Sequence, residues 1–78
     1  INEAFAVVTM ATIKELNLSQ DKVNIFGGGV SLGHPIGCSG TRIVVTLMTA
    51  MENKNAKRGM ASICIGGGEA LALIIERI

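Results

Sequence analysis

Apolar residues recur at helical spacing over residues 2–17 and 41–52 of this chain, and form denser runs over 60–65 and 71–78. In the first stretch Ala4, Phe5, Ala6, Val7, Val8, Met10, Ala11, Ile13 and Leu16 cover most faces, the pattern of a helix packed on several sides. Asn2 suits its N-cap and Glu3 the positive end of its dipole. A polar break at 17–22 follows, and residues 23–26 read as a short strand or extended entry. Residues 41–52 form the most amphipathic helix. Arg42, Thr46, Thr49 and Asn53 mark its polar stripe, and Ser39 or Gly40 would cap it. Residues 60–65 and 71–78 read as strands, the second too apolar to face water. Gly66-Gly67-Gly68-Glu69 fits a hairpin connection between them. The predicted order is α, short β, glycine-rich segment, α, β, β, an α/β chain.

Composition narrows this picture. The chain has 78 residues, 49% apolar and 17% charged, with a formal net charge of +1. That is one domain at most, too apolar to be disordered, and without an electrostatic reason to bind nucleic acid. The longest apolar run, residues 70–75, is far short of the about 20 residues that cross a bilayer. No signal-peptide pattern precedes the first helix. The apolar faces need more covering than 78 residues supply. The expectation is that this chain belongs to a longer one whose remainder packs on it.

The cysteines Cys38 and Cys64 are too few for a disulfide framework and form no C-x-x-C pair. They read as reduced thiols of an intracellular protein. With a single histidine they fall short of a structural zinc site, so no metal is expected. Lys54, Lys57 and Arg58 lie between the second helix and the first strand and read as a solvated loop.

Residues 27–40 hold six of the ten glycines and the only proline, and a long irregular segment of this kind is usually functional. It matches no phosphate loop, because His34-Pro35 follows Gly33 where Lys-Ser/Thr is needed. Leu32 breaks the dinucleotide fingerprint. Thr41 stands where a nucleophile elbow around Cys38-Ser39 needs glycine. What remains is Gly33-His34-Pro35-Ile36-Gly37-Cys38-Ser39-Gly40 running into a helix. His34 reads equally as a structural ring or as a general base held beside a helix N-terminus. Cys64 reads either as a small buried hydrophobe or as a reactive thiol beside backbone N–H groups bared by glycine. On residue chemistry alone the pair would be a Cys64 nucleophile with a His34 base. Cys38 reads as packing, and Asn2 as a cap or as a polar group facing a site.

Three motifs together carry a resemblance. Asn2-Glu3-Ala4-Phe5-Ala6, then residues 28–42 with Gly33-His34-Pro35-Ile36-Gly37-Cys38-Ser39-Gly40 at their centre, then Cys64-Ile65-Gly66-Gly67-Gly68, resemble the C-terminal part of a thiolase from end to end of the chain. The resemblance implies a fragment of the layered α-β-α-β-α thiolase fold, with the half that carries the nucleophilic cysteine not present in residues 1–78. It implies an acyl-CoA acyltransferase that condenses two acetyl-CoA molecules through a cysteine acyl-enzyme. It also implies that His34 activates that cysteine and lines an oxyanion hole, with Asn2 holding a water there. Cys64 would be the acid/base that moves the α-proton, and Gly66 would offer its N–H to the other oxyanion hole. On this reading Cys64 is not the nucleophile.

Coenzyme A thioesters are then substrates and no resident cofactor is implied. The implied partners are acyl-CoA, the remainder of the chain and further copies in a homodimer or homotetramer, without nucleic acid or membrane. The implied location is the cytoplasm or the mitochondrial matrix. Ser39 and Gly66-Gly67-Gly68 lean toward the acetoacetyl-CoA type, with the 3-ketoacyl-CoA thiolase of fatty-acid degradation or a non-catalytic thiolase-like subunit as alternatives. Decarboxylating ketosynthases place His where Cys64 stands, which argues against them. Glu69-Ala70 departs from the Met or Gln followed by Gly that is frequent in the family and bears on the shape of the pocket.

Overall fold

The structure, a computed structural model, describes residues 1–78. The chain is α/β. An extended start leads into α1 (Ala6–Glu15), a single 3-10 turn (Gln20–Lys22), α2 (Gly29–Leu32), α3 (Ile36–Asn53), β1 (Arg58–Ile65), a Gly66–Gly68 turn and β2 (Glu69–Glu76). β1 and β2 pair antiparallel in a single register from Arg58 opposite Glu76 to Ile65 opposite Glu69. No helix is long and apolar enough to cross a membrane.

Both longer helices stop at an asparagine. Asn17 and Asn55 take left-handed φ values of 52° and 50°, which asparagine tolerates better than most residues. After α1, Leu18 N–H donates to the Ile13 carbonyl and Asn17 N–H to that of Lys14; after α3, Ala56 N–H donates to Met51 and Asn55 N–H to Glu52. Each is a Schellman closure that satisfies carbonyls the helix leaves open.

Several boundaries differ from the sequence expectation. α1 begins at Ala6, not residue 2, so Asn2 is not its cap; extended Phe5 stands at the cap position with no side-chain bond. The backbone of Asn2 is instead engaged by β1, its N–H donating to the Ser62 carbonyl at 2.9 Å. Residues 23–26 form no strand, only an isolated bridge between Ile25 and Gly27, because Asn24 turns left-handed with φ 47°. The second helix starts at Ile36 rather than 41, which puts Ser39 and Gly40 inside it rather than at its cap. Two glycines in its first turns cost roughly 1 kcal/mol each in propensity. Against that cost, the Cys38 and Ser39 N–H groups both donate to the Pro35 carbonyl. The strands run over Arg58–Ile65 and Glu69–Glu76, so Glu69 belongs to β2 and the connection is the glycine turn alone.

α3 packs on β1. At Gly59 an added Cβ would fall 2.6 Å from Met51 Sδ and 2.7 Å from Leu47 Cδ1, so the strand approaches the helix there by dispensing with a side chain. The buried apolar residues are Ile43, Met51 and Ala61, and nothing else. β2 lies open along nearly its whole length, with Leu71, Leu73 and Ile74 exposed. The expected surplus of apolar surface is therefore present. The Lys57–Glu76 ion pair at 3.7 Å is exposed and such pairs add little.

So small a core cannot offset the entropy of ordering the chain. Isolated residues 1–78 are expected to self-associate or to melt without a sharp transition in sedimentation velocity and thermal scans. A soluble monomer with a cooperative melt would contradict this account.

Candidate functional site

The site is assembled by the first three residues. Asn24 grips the extended start: its Oδ1 accepts from Ile1 N at 2.9 Å, and its Nδ2 donates to the Ile1 carbonyl at 2.7 Å and to Glu3 Oε2 at 2.9 Å. The other carboxylate oxygen of Glu3 accepts from Val30 N–H at 3.1 Å. Glu3 thus serves the first turn of α2, not its own helix. Gly28 and Gly29 lie against this residue so closely that a Cβ on Gly29 would sit 2.6 Å from the Glu3 carbonyl oxygen.

With both neighbours held, Asn2 is 1% exposed and its side chain turns toward His34, 32 residues away in sequence. Asn2 Nδ2 lies 3.5 Å from His34 Nε2, at the long end of hydrogen-bonding range. Asn2 Oδ1 is buried without a partner, a state that costs about 1–3 kcal/mol when nothing meets it. On the far side of the ring, His34 Nδ1 is 2.5 Å from Ser39 Oγ, and Ser39 Oγ donates to the Pro35 carbonyl at 3.2 Å.

Cys64 stands one residue before the end of β1, paired with Ala70 of β2 and exposed, its thiol in no disulfide. Its strand is the one that holds Asn2. Ser62, whose carbonyl takes the Asn2 N–H, lies two residues earlier on the same side of the strand, about 7 Å away. The structure therefore joins Asn2 directly to His34 and, through Ser62, to the strand end that bears Cys64. No bond links Cys64 to His34. Gly66 follows at the mouth of the turn. Gly67 and Gly68 need glycine for φ values of 75° and 77°, whereas Gly66 has an ordinary φ and open space where its Cβ would be.

Three residues of this arrangement carried no clear signal in the sequence. Ser39 reads as a helix cap, but it is 2% exposed and serves the histidine. Glu3 reads as a dipole partner of α1. Asn24 sits in what reads as a strand, and only its tolerance of left-handed backbone hints at a turn.

Residues 1–77 match the family model described as thiolase, C-terminal domain. A probable acetyl-CoA acetyltransferase of Dictyostelium discoideum is 56% identical over 78 residues, which is 100% of this chain and 19% of the relative. A cytosolic acetyl-CoA acetyltransferase of Rattus norvegicus is 54% identical over 77 residues, 99% of this chain and 19% of the relative. A 3-ketoacyl-CoA thiolase of Psychrobacter cryohalolentis is 54% identical over 80 residues, 100% of this chain and 20% of the relative. The chain spans about a fifth of the length of these proteins.

The packing of Gly29 on Glu3 makes a direct prediction. In the protein that carries this chain, Gly29→Ala is expected to destabilise by about 1–3 kcal/mol, because a backbone carbonyl cannot step aside as a side-chain tip can. Gly37→Ala, with nothing within 4 Å of the new methyl and a helical position at Gly37, should not destabilise and is expected to gain up to about 1 kcal/mol. Denaturant unfolding of the two variants checks the contrast; equal costs would remove the Glu3 contact from the account.

Proposed function

Because the chain belongs to the thiolase family, we propose that it supplies the proton-handling side of an acyl-CoA acyltransferase active site. The reaction is the reversible condensation of two acetyl-CoA to acetoacetyl-CoA and coenzyme A. The observation that carries this reading is the meeting of Asn2 and His34, from distant parts of the chain, beside the strand end that bears Cys64.

The chemistry sets three demands. A cysteine supplied from outside these 78 residues must lose its proton to attack the first thioester. His34 takes that proton at Nε2 and keeps it, the acyl carbon passes to the cysteine sulfur, and the departing coenzyme A thiolate takes its proton from Cys64, which is left as thiolate. The second thioester must then lose an α-proton, which is weakly acidic, so the enolate oxygen has to meet donors already in place. His34, by then carrying the proton at Nε2, and a water held by Asn2 form that oxyanion hole. Cys64 takes the α-proton as thiolate, and the enolate carbon attacks the acyl-cysteine carbonyl. The Gly66 N–H steadies the tetrahedral oxyanion. When the carbon–sulfur bond to the nucleophile breaks, acetoacetyl-CoA is free. Thiolysis runs the same steps backwards.

The relatives bear two names, acetyl-CoA acetyltransferase and 3-ketoacyl-CoA thiolase. The resemblance of Ser39 and the Gly66-Gly67-Gly68 turn to the acetoacetyl-CoA type favours the shorter substrate. The alternative is a degradative thiolase that prefers long 3-ketoacyl chains, and a comparison of kcat/KM for acetoacetyl-CoA and a long-chain 3-ketoacyl-CoA separates the two.

In the complete protein, Cys64→Ala and His34→Ala are each expected to lower kcat by about 100- to 10,000-fold, the range of a positioned acid or base. Asn2→Ala should cost on the order of 100-fold, the loss of one oxyanion contact. Steady-state synthesis and thiolysis assays on folded variants measure this, and full activity in Cys64→Ala would sink the assignment.

A further inference from the structure

The role given to His34 requires a bare nitrogen at Nε2, and a neutral imidazole can carry its proton on either nitrogen. We propose that Ser39 is the positioning residue that settles the choice, holding the proton on Nδ1 so that Nε2 faces the site as a base. This rests on the reading of His34 as the proton acceptor.

The hydrogen-bond roles fit together in one way. The amide nitrogen of Asn2 only donates, so the nitrogen it faces at 3.5 Å, Nε2, presents a lone pair. The ring proton is then on Nδ1 and is donated to Ser39 Oγ at 2.5 Å. Ser39 can accept it because its own hydroxyl proton goes to the Pro35 carbonyl at 3.2 Å. Each group along Asn2, His34, Ser39 and Pro35 has a single consistent role. The nitrogen that reacts is fixed by what the other nitrogen bonds, as for metal-bound and catalytic histidines generally.

The location of Ser39 supports this role over that of a surface hydroxyl. It is 2% exposed, in the first turn of α3. Both its N–H and its Oγ are bonded to Pro35, the former at 3.0 Å. Its side chain is thereby tied to the residue next to the histidine. The proline fixes one backbone angle there, so ring and hydroxyl sit at the two ends of a six-residue segment, His34 to Ser39, closed by the bonds of Cys38 and Ser39 to Pro35.

The test uses the complete protein with 15N-labelled histidine, the His34 signals being identified by their loss in His34→Gln. At a pH where the ring is neutral, the wild type is expected to show its proton on Nδ1 and a bare Nε2. Ser39→Ala should show a mixture of the two forms, with kcat lowered about 10- to 100-fold and KM for acetoacetyl-CoA changed by less than about 3-fold, as for loss of a group that orients an imidazole. A proton on Nε2 in the wild type overturns the proposal, whether or not Ser39→Ala folds. So does an unchanged tautomer or an unchanged kcat in Ser39→Ala. None of these results touches the assignment of His34 itself, which fails separately if His34→Gln keeps full activity.

Discussion

The bond from Asn2 N–H to the Ser62 carbonyl is the constraint on which the site depends. It is one backbone hydrogen bond, yet it attaches the start of the chain to the strand that carries Cys64. Asn24 and Glu3 reinforce it from the other side, so that three consecutive residues are fixed to three different parts of the molecule. Asn2 has no freedom left for its side chain except to turn inward, and His34 is what it meets. Were that segment to detach, α3 would still pack on β1 and the hairpin would still pair. The polar centre would simply not exist.

The sequence exposes some of this and hides the rest for physical reasons. The two longer helices and the hairpin follow, in that order, from periodicity, whereas the expected strand at 23–26 is absent and the short helix Gly29–Leu32 goes unseen. Boundaries do not follow from it, because they are set by contacts distant in sequence. Two glycines in Ile36–Gly40 argue locally against a helix, and bonds to Pro35 overrule them. Asn2 has the propensity of a cap, but a strand sixty residues on claims its backbone. The asparagines that end α1 and α3 were in principle readable, since asparagine is second only to glycine at that position; the polar breaks around them mask the signal.

A hairpin as apolar as β1 and β2 with one face on a single helix is an incomplete layer. Family membership and the fifth of the relatives' length that this chain spans give that incompleteness a sense, since a strand open on both sides is what a larger α/β arrangement requires of its interior. The apolar excess and the polar centre are thus two aspects of one sequence. The first would secure the position of the second.

The distances along the chain between the bonded partners carry a kinetic meaning. The hairpin and the α3–β1 contact close short loops and can form early, since closure entropy rises with the length enclosed. The bond between Asn2 and Ser62 encloses about three-quarters of the chain, and the contact between Asn2 and His34 about two-fifths of it. The polar centre is therefore the last part to come together and the first to come apart. A partly ordered molecule would have its secondary structure without the contact between Asn2 and His34, so that the polar centre and the completion of the fold arrive as a single event.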